Sequence, residues 1–199
     1  MLAGKPSRIG LYGGSFDPVH LGHLLVAQSA YEELRLERVF LIPASQNPFK
    51  PDRKLAAGST RLLLLRLALA GITWAEVDSQ ELQRGGLSYS IDTVRSYRAR
   101  FPEAELFYLV GADHVEQLNK WKEAEELAKL VEFLIIPRPG ETAGRPPAPF
   151  RSHLLKGFPL RLSSSEVRER IAQNLPIDLF CGSLVAEAIR NNRLYFPQE

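Results

Sequence analysis

Short β-branched and aromatic runs, each bounded by glycine or proline, alternate along this chain with longer stretches of helical periodicity. That order marks βα units wound around a mostly parallel sheet with helices on both faces, an α/β architecture. A first strand is expected over residues 8–12. After it Leu24, Ala27, Tyr31 and Leu34 recur at helical spacing, which predicts a helix over 21–36 packing Leu24, Tyr31 and Leu34 on the sheet. Further strands are expected over 39–42, 74–77, 105–110 and 131–136, with helices over 59–70 and 90–101. Pro137, Pro139, Gly140, Pro146, Pro147 and Pro149 then predict a mobile loop of about fifteen residues without regular structure. Beyond it a short strand over 159–162 and helices over 163–173 and 184–191 complete the reading. No internal repeat or linker divides residues 1–199, so one domain is expected.

Composition excludes several classes. With 45% hydrophobic and 24% charged residues the chain is neither disordered nor of low complexity. Its 25 basic and 23 acidic residues leave a net +2, too weak a field to hold nucleic acid by charge alone. The lone Cys181 can form no internal disulfide, which suits a reducing compartment, and cytosol is expected. Apolar runs at 62–65 and 67–72, split by Arg66, fall short of the roughly 20 residues of a membrane span. Lys5 and Arg8 near the start are followed by no signal-type apolar region, so the chain reads as unprocessed and soluble.

The most informative segment is GGSFDPVHLGHL, residues 13–24, where the first strand gives way to the first helix. Gly13 and Gly14 clear side chains from a sharp turn, so that backbone N–H groups can approach a ligand, and the helix start just beyond favours negative charge. Phosphate fits both features. His20 and His23, three apart in the first helical turn, would share a face and contact adjacent phosphate oxygens, with Gly22 keeping the approach open. Four histidines and fourteen glycines would place His-x-Gly-His by chance about 0.006 times per chain, so the pattern argues for function over a mere turn. A zinc site would need a third ligand, and no suitably spaced one is evident.

Two more segments carry chemistry. In LSSSEVRERI, residues 162–171, Ser163 and Glu166 fit a capping box that starts a helix at about Ser164. Ser164 and Ser165 would add hydroxyl donors, and Arg168 a bidentate anion contact. In VGADHVEQLNKW, residues 110–121, Gly111 and Asp113 follow the strongest strand and belong beside the Gly13 turn if the two strands are neighbours. Asp113 would accept from a ribose or ammonium group, or alternatively cap a helix. Trp121 is a ligand contact or a core aromatic, and His114 reads as a surface residue.

Together these three segments resemble the nucleotidylyltransferase superfamily, and within it the bacterial nicotinate mononucleotide adenylyltransferases. SYSIDT at 88–93, Arg138-Pro139-Gly140 and Arg193-Leu194-Tyr195 add to the match, which covers nearly the whole chain. The resemblance implies a Rossmann-like, doubly wound fold and transfer of the adenylyl group of ATP to nicotinate mononucleotide, with magnesium accompanying ATP. It implies Gly13, Gly14, Ser15 and Phe16 along the phosphates, His20 and His23 on ATP phosphates, and Gly111 and Asp113 near the adenosine ribose. Ser164, Ser165 and Arg168 would take the departing pyrophosphate. Lys50, Tyr89, Thr93, Trp121 and Arg138 would bind the acceptor, Tyr89 and Trp121 around its pyridine ring. Two positions depart from the family pattern: Phe49 stands where a His precedes Lys50, and Ser90 where Thr is usual.

The chemistry implied needs no side-chain nucleophile, because the acceptor phosphate attacks and pyrophosphate leaves; positioning and charge neutralisation suffice. The rival readings are phosphopantetheine adenylyltransferase, against which length and Trp121 argue, and a nucleotide sensor without turnover. An aminoacyl-tRNA synthetase, which shares His-x-Gly-His, would not fit in 199 residues.

Overall fold

A computed structural model of the chain describes residues 7–50, 52–137, 144–158 and 160–197. Strands β1 (Arg8–Gly14), β2 (Arg38–Pro43), β3 (Ala75–Val77), β4 (Glu105–Gly111), β5 (Glu132–Ile136) and β6 (Ser152–Leu154) form one sheet in the order β3-β2-β1-β4-β5-β6. Every neighbouring pair is parallel. β2 and β4 read as nearly unbroken apolar runs because both of their faces are covered.

The side-chain alternation of these strands sorts the core into two layers. Val39, Leu41, Phe107 and Leu109 face one layer, closed by α1 (Leu21–Glu33), α2 (Gly58–Ala68), α6 (Ser164–Ala172), α7 (Asp178–Cys181) and α8 (Ser183–Asn191). Phe40, Ile42, Leu106, Tyr108 and Val110 face the other, closed by α4 (Ser90–Arg100), a 3-10 helix (Ala112–Lys120) and α5 (Ala124–Leu130). The fold is therefore a Rossmann-like, doubly wound α/β sheet. In α1 the small Ala27 and Ala30 are fully buried in the first of these layers, and Leu34, just past the helix end, nearly so, while Leu24 and Tyr31 pack against it half-buried. Tyr31 stacks on Trp74 at 4.8 Å. The helix ends before residue 36 because Arg35 takes a left-handed φ of 50°.

One expectation about the C-terminal third is corrected. No strand covers residues 160–162, whose Leu160 and Leu162 line a cavity instead, and the sixth strand lies earlier, at Ser152–Leu154. Its three residues are exposed, so no apolar alternation announced it; it is fixed by pairing Ser152 to Phe133 and Leu154 to Ile135. The loop expected between the two strands includes 138–143, which lie outside the described residues. The short α3 (Gln80–Arg84), α5 and α7, and the 3-10 helix, are each too brief or too tight for helical periodicity to show. Among the described residues no helix is long and apolar enough to cross a membrane.

Strand order reverses between β1 and β4, and there the sheet splits. β1 stays paired with β2 as far as Gly14 and Pro43, but its ladder to β4 ends at Leu11 and Tyr108. Such a crevice beyond the carboxyl ends of the strands is where open α/β sheets take ligands.

Candidate active site

The crevice widens into a cavity of about 1120 Å³. Gly13, Gly14, Ser15 and Phe16 line it from the end of β1, Gly111 and Asp113 from the end of β4, and Ser164 and Ser165 from the start of α6. Tyr89 and Trp121 line it as well, so residues as far apart as Gly13 and Ser165 converge on one cavity. Gly13 is demanded by close approach, since a Cβ there would stand 2.6 Å from the Tyr108 hydroxyl. That hydroxyl also accepts from Ser90 Oγ at 2.9 Å, tying the Ser88–Ser90 loop to β4.

His20 is the residue that caps α1, extended at φ −148°, and His23 lies one turn inside. Their rings sit 3.7 Å apart between centroids, closer than a shared helical face alone would bring them. The His20 backbone N–H donates to His23 Nδ1 at 3.2 Å, which leaves the neutral His23 ring with its proton on Nε2. Phe16, at φ 47° and 1% exposed, packs its ring 4.9 Å from that of His23. Gly22 lies against His20: a Cβ would stand 3.0 Å from its Cε1 and Nδ1. Burial pushes His20 down from 6.5 to about 4 and, with help from His20, pushes His23 well below its ordinary range. Both rings are thus neutral near pH 7, and His20 Nδ1 has no protein partner among the described residues.

At α6 the Ser163 hydroxyl accepts from the Glu166 N–H at 3.2 Å, the expected cap. Ser164 Oγ donates to the Pro18 carbonyl at 2.9 Å, and Arg168 donates to the Asp17 carbonyl at 2.6 Å and to Ser165 Oγ at 3.0 Å. The two distant motifs are therefore one hydrogen-bonded unit. Arg168 is half-buried behind the Ser164–Ser165 lining rather than in it.

Other expected residues take different places. Thr93 is fully buried behind the cavity wall, where its hydroxyl donates to Glu81 Oε1 at 2.6 Å and accepts from Arg84 at 3.1 Å. Burial raises the Glu81 carboxyl above its usual range, with the Thr93 and Ser88 hydroxyls opposing. Lys50 is exposed and outside the lining, whereas Phe49 lines the cavity with its ring 6.3 Å from Trp121. Phe49 thus extends the aromatic wall around Trp121. His114 stands at the cavity rim, 3.5 Å from the Asp113 carboxylate. Arg138 lies outside the described residues.

Sequence reasoning missed a buried polar layer beneath the Gly13–Phe16 turn. Arg61 of α2 is 2% exposed and donates to the carbonyls of Ala56 at 2.9 Å and of Ser15 and Ala44 at 2.8 Å each. Asp17, also buried, accepts from the Ala56 N–H at 3.2 Å and from the Tyr195 hydroxyl at 3.0 Å. The available signal was Arg61 on the same helical stripe as Leu64 and Leu65. Arg53 and Arg161, cations lining the cavity, carried no signal of their own. Among the described residues no group of three or more His, Cys, Asp or Glu side chains converges to hold a metal.

A sequence profile of the cytidylyltransferase-like family matches residues 11–170. The chain is 42% identical over 194 residues to a protein of Opitutus terrae, covering 96% of this chain and all of that one. It is 40% identical over 188 residues to a protein of Shouchella clausii, covering 94% and 96%. Both are named probable nicotinate-nucleotide adenylyltransferase. In fold it resembles the Plasmodium falciparum nicotinic acid mononucleotide adenylyltransferase complexed with NaAD, with a TM-score of 0.78, 19% identity, and 95% and 97% of the two chains covered. By full-length identity and by the profile, the chain belongs to the cytidylyltransferase-like family, among its nicotinate-nucleotide adenylyltransferases.

Proposed function

We propose that this chain transfers the adenylyl group of ATP to nicotinate mononucleotide, yielding deamido-NAD and pyrophosphate. The observation that carries this reading is the neutral His20–His23 pair at the split between β1 and β4, hydrogen-bonded as one unit and set beside the α6 start. A phosphate oxygen of the mononucleotide attacks the α-phosphorus of ATP, forming the new P–O bond as the bond to the bridging oxygen of pyrophosphate breaks. The oxygen nucleophile is already anionic, so no protein group need remove a proton, and in-line positioning dominates.

Each residue then has a definite task. His23 Nε2–H is a donor, and the unpartnered His20 Nδ1 is a buried group that a phosphate oxygen would satisfy. Ser164, Ser165 and the N-terminal amides of α6 suit the departing pyrophosphate, with Arg168 bracing the turn from behind. Tyr89 and Trp121 offer flat apolar faces to the pyridine ring, and Lys122, paired with Asp92 at 3.3 Å, lies 4.6 Å over the Tyr89 ring and braces it. Magnesium belongs to this scheme as part of the substrate MgATP, whose phosphates supply the oxygen ligands it prefers. Cytosol is part of the same proposal, since the buried thiol of Cys181 suits a reducing compartment.

Pyrophosphate release is the test, with MgATP and nicotinate mononucleotide, nicotinamide mononucleotide or phosphopantetheine offered separately. Preference for the nicotinate form supports the reading. Turnover confined to phosphopantetheine would overturn the acceptor, and ATP binding without turnover would make the chain a nucleotide sensor.

A further inference from the structure

We propose that Arg61 is a positioning residue that sets the phosphate turn and the acceptor loop together, with Asp17 as its counter-charge and Tyr195 as the group that fixes Asp17. The inference rests on the function proposed above. A guanidinium buried at 2% exposure on a helical stripe with Leu64 and Leu65 is a poor choice for stability alone, since a buried charge must recover the hydration it loses. A leucine would serve the core better. What Arg61 gains is three carbonyls from three segments: Ser15 in the phosphate turn, Ala44 after β2, and Ala56 before α2.

Each of those carbonyls fixes a peptide plane, and in a trans peptide the N–H points opposite the C=O. Pinning the Ser15 carbonyl toward α2 turns the Phe16 N–H away from α2, and Phe16 holds its left-handed φ of 47° in that arrangement. Pinning the Ala44 carbonyl directs the Ser45 N–H to Ser88 Oγ, which accepts it at 2.9 Å. Ser88 belongs to the loop whose Ser90 bonds Tyr108, so one buried cation orients both walls of the cavity. Ala56, whose carbonyl is the third acceptor, also meets the counter-charge through its other peptide: the Ala56 N–H donates to Asp17 Oδ1, and the Tyr195 hydroxyl donates to the same oxygen. The C-terminal Tyr195 thereby reaches 178 residues back along the chain to the phosphate turn. Lysine cannot reproduce this, because one ammonium lacks the planar fork that serves three acceptors.

Arg61→Lys and Tyr195→Phe test the idea, each followed by calorimetric binding of a non-hydrolysable ATP analogue, steady-state KM and kcat for both substrates, and thermal melting. Arg61→Lys is expected to weaken analogue binding and to raise both KM values about tenfold, with kcat lowered as well, at temperatures well below its melting point. Tyr195→Phe, which removes one hydroxyl, is expected to weaken analogue binding about threefold. Melting points that fall while analogue affinity and both KM values stay at wild-type levels would overturn the proposal and leave Arg61 a structural residue. If Arg61→Lys does not fold, Tyr195→Phe decides alone. Analogue binding is read without an acceptor, so a wild-type enzyme that ignores nicotinate mononucleotide would refute the function and leave this measurement standing.

Discussion

The ring centroids of His20 and His23 lie 3.7 Å apart, and the His20 backbone N–H donates to His23 Nδ1, so the two residues form one hydrogen-bonded pair. Replacing either with Ala is expected to lower turnover about 10² to 10³-fold while the protein still melts cooperatively, and the double variant should lose little more than the worse single one. A loss below threefold in either single variant would contradict the assignment.

Glycine at 22 leaves room for the ring beside it. Gly22→Ala places a Cβ 3.0 Å from His20 Cε1 and Nδ1, and displacing that ring should cut kcat by about 10-fold or more with little change in melting temperature. At Gly13 the obstacle is the Tyr108 hydroxyl, 2.6 Å from the added carbon, so Tyr108→Phe should restore part of the activity lost in Gly13→Ala. Additive losses in that double variant would contradict the steric account.

Acid stability follows from the same burial. His20 titrates at 6.5 when unfolded and at about 4 when folded, because burial disfavours its charged form. Between those values the unfolded chain binds more protons, so the contribution is complete above pH 6.5 and is lost as pH falls toward 4, at roughly 1.4 kcal/mol per pH unit. Urea denaturation of wild type and His20→Ala across pH 4 to 7 measures it. The variant should show the shallower dependence.

Thr93 stands behind the site rather than in it. Thr93→Val removes the hydroxyl that donates to the buried Glu81 and should cost about 1 to 3 kcal/mol in denaturant unfolding, whereas Thr93→Ser keeps the bond and should cost less. Equal costs for the two would contradict a role for that hydroxyl.

Legibility in the sequence tracked locality. β1, β2, β4 and β5 announced themselves through apolar runs bounded by glycine or proline, and α6 through the Ser163 and Glu166 cap, because each signal lies within a few residues. The contacts of Gly13, His20 and Ser164 with one cavity followed from where strands end in a parallel sheet. β6 was hidden because its three exposed residues owe their conformation to β5. Leu160 and Leu162 alternated like a strand because a cavity wall, like a sheet, needs apolar side chains at intervals. The Arg61, Asp17 and Tyr195 layer closes through three pairings 39 to 178 residues apart, Ala56 with Asp17, Arg61 with Ser15 and Tyr195 with Asp17, which no local pattern encodes. Thr93 reads like a ligand contact in its motif and turns inward only when α3 brings Glu81 against it.

The most direct test of a single in-line displacement at the α-phosphorus is stereochemical. With ATP bearing one sulfur at that phosphorus in a single configuration, and nicotinate mononucleotide as acceptor, the dinucleotide product should have inverted configuration. Retention would require two displacements through an adenylylated side chain and would contradict a mechanism in which His20 and His23 only donate hydrogen bonds.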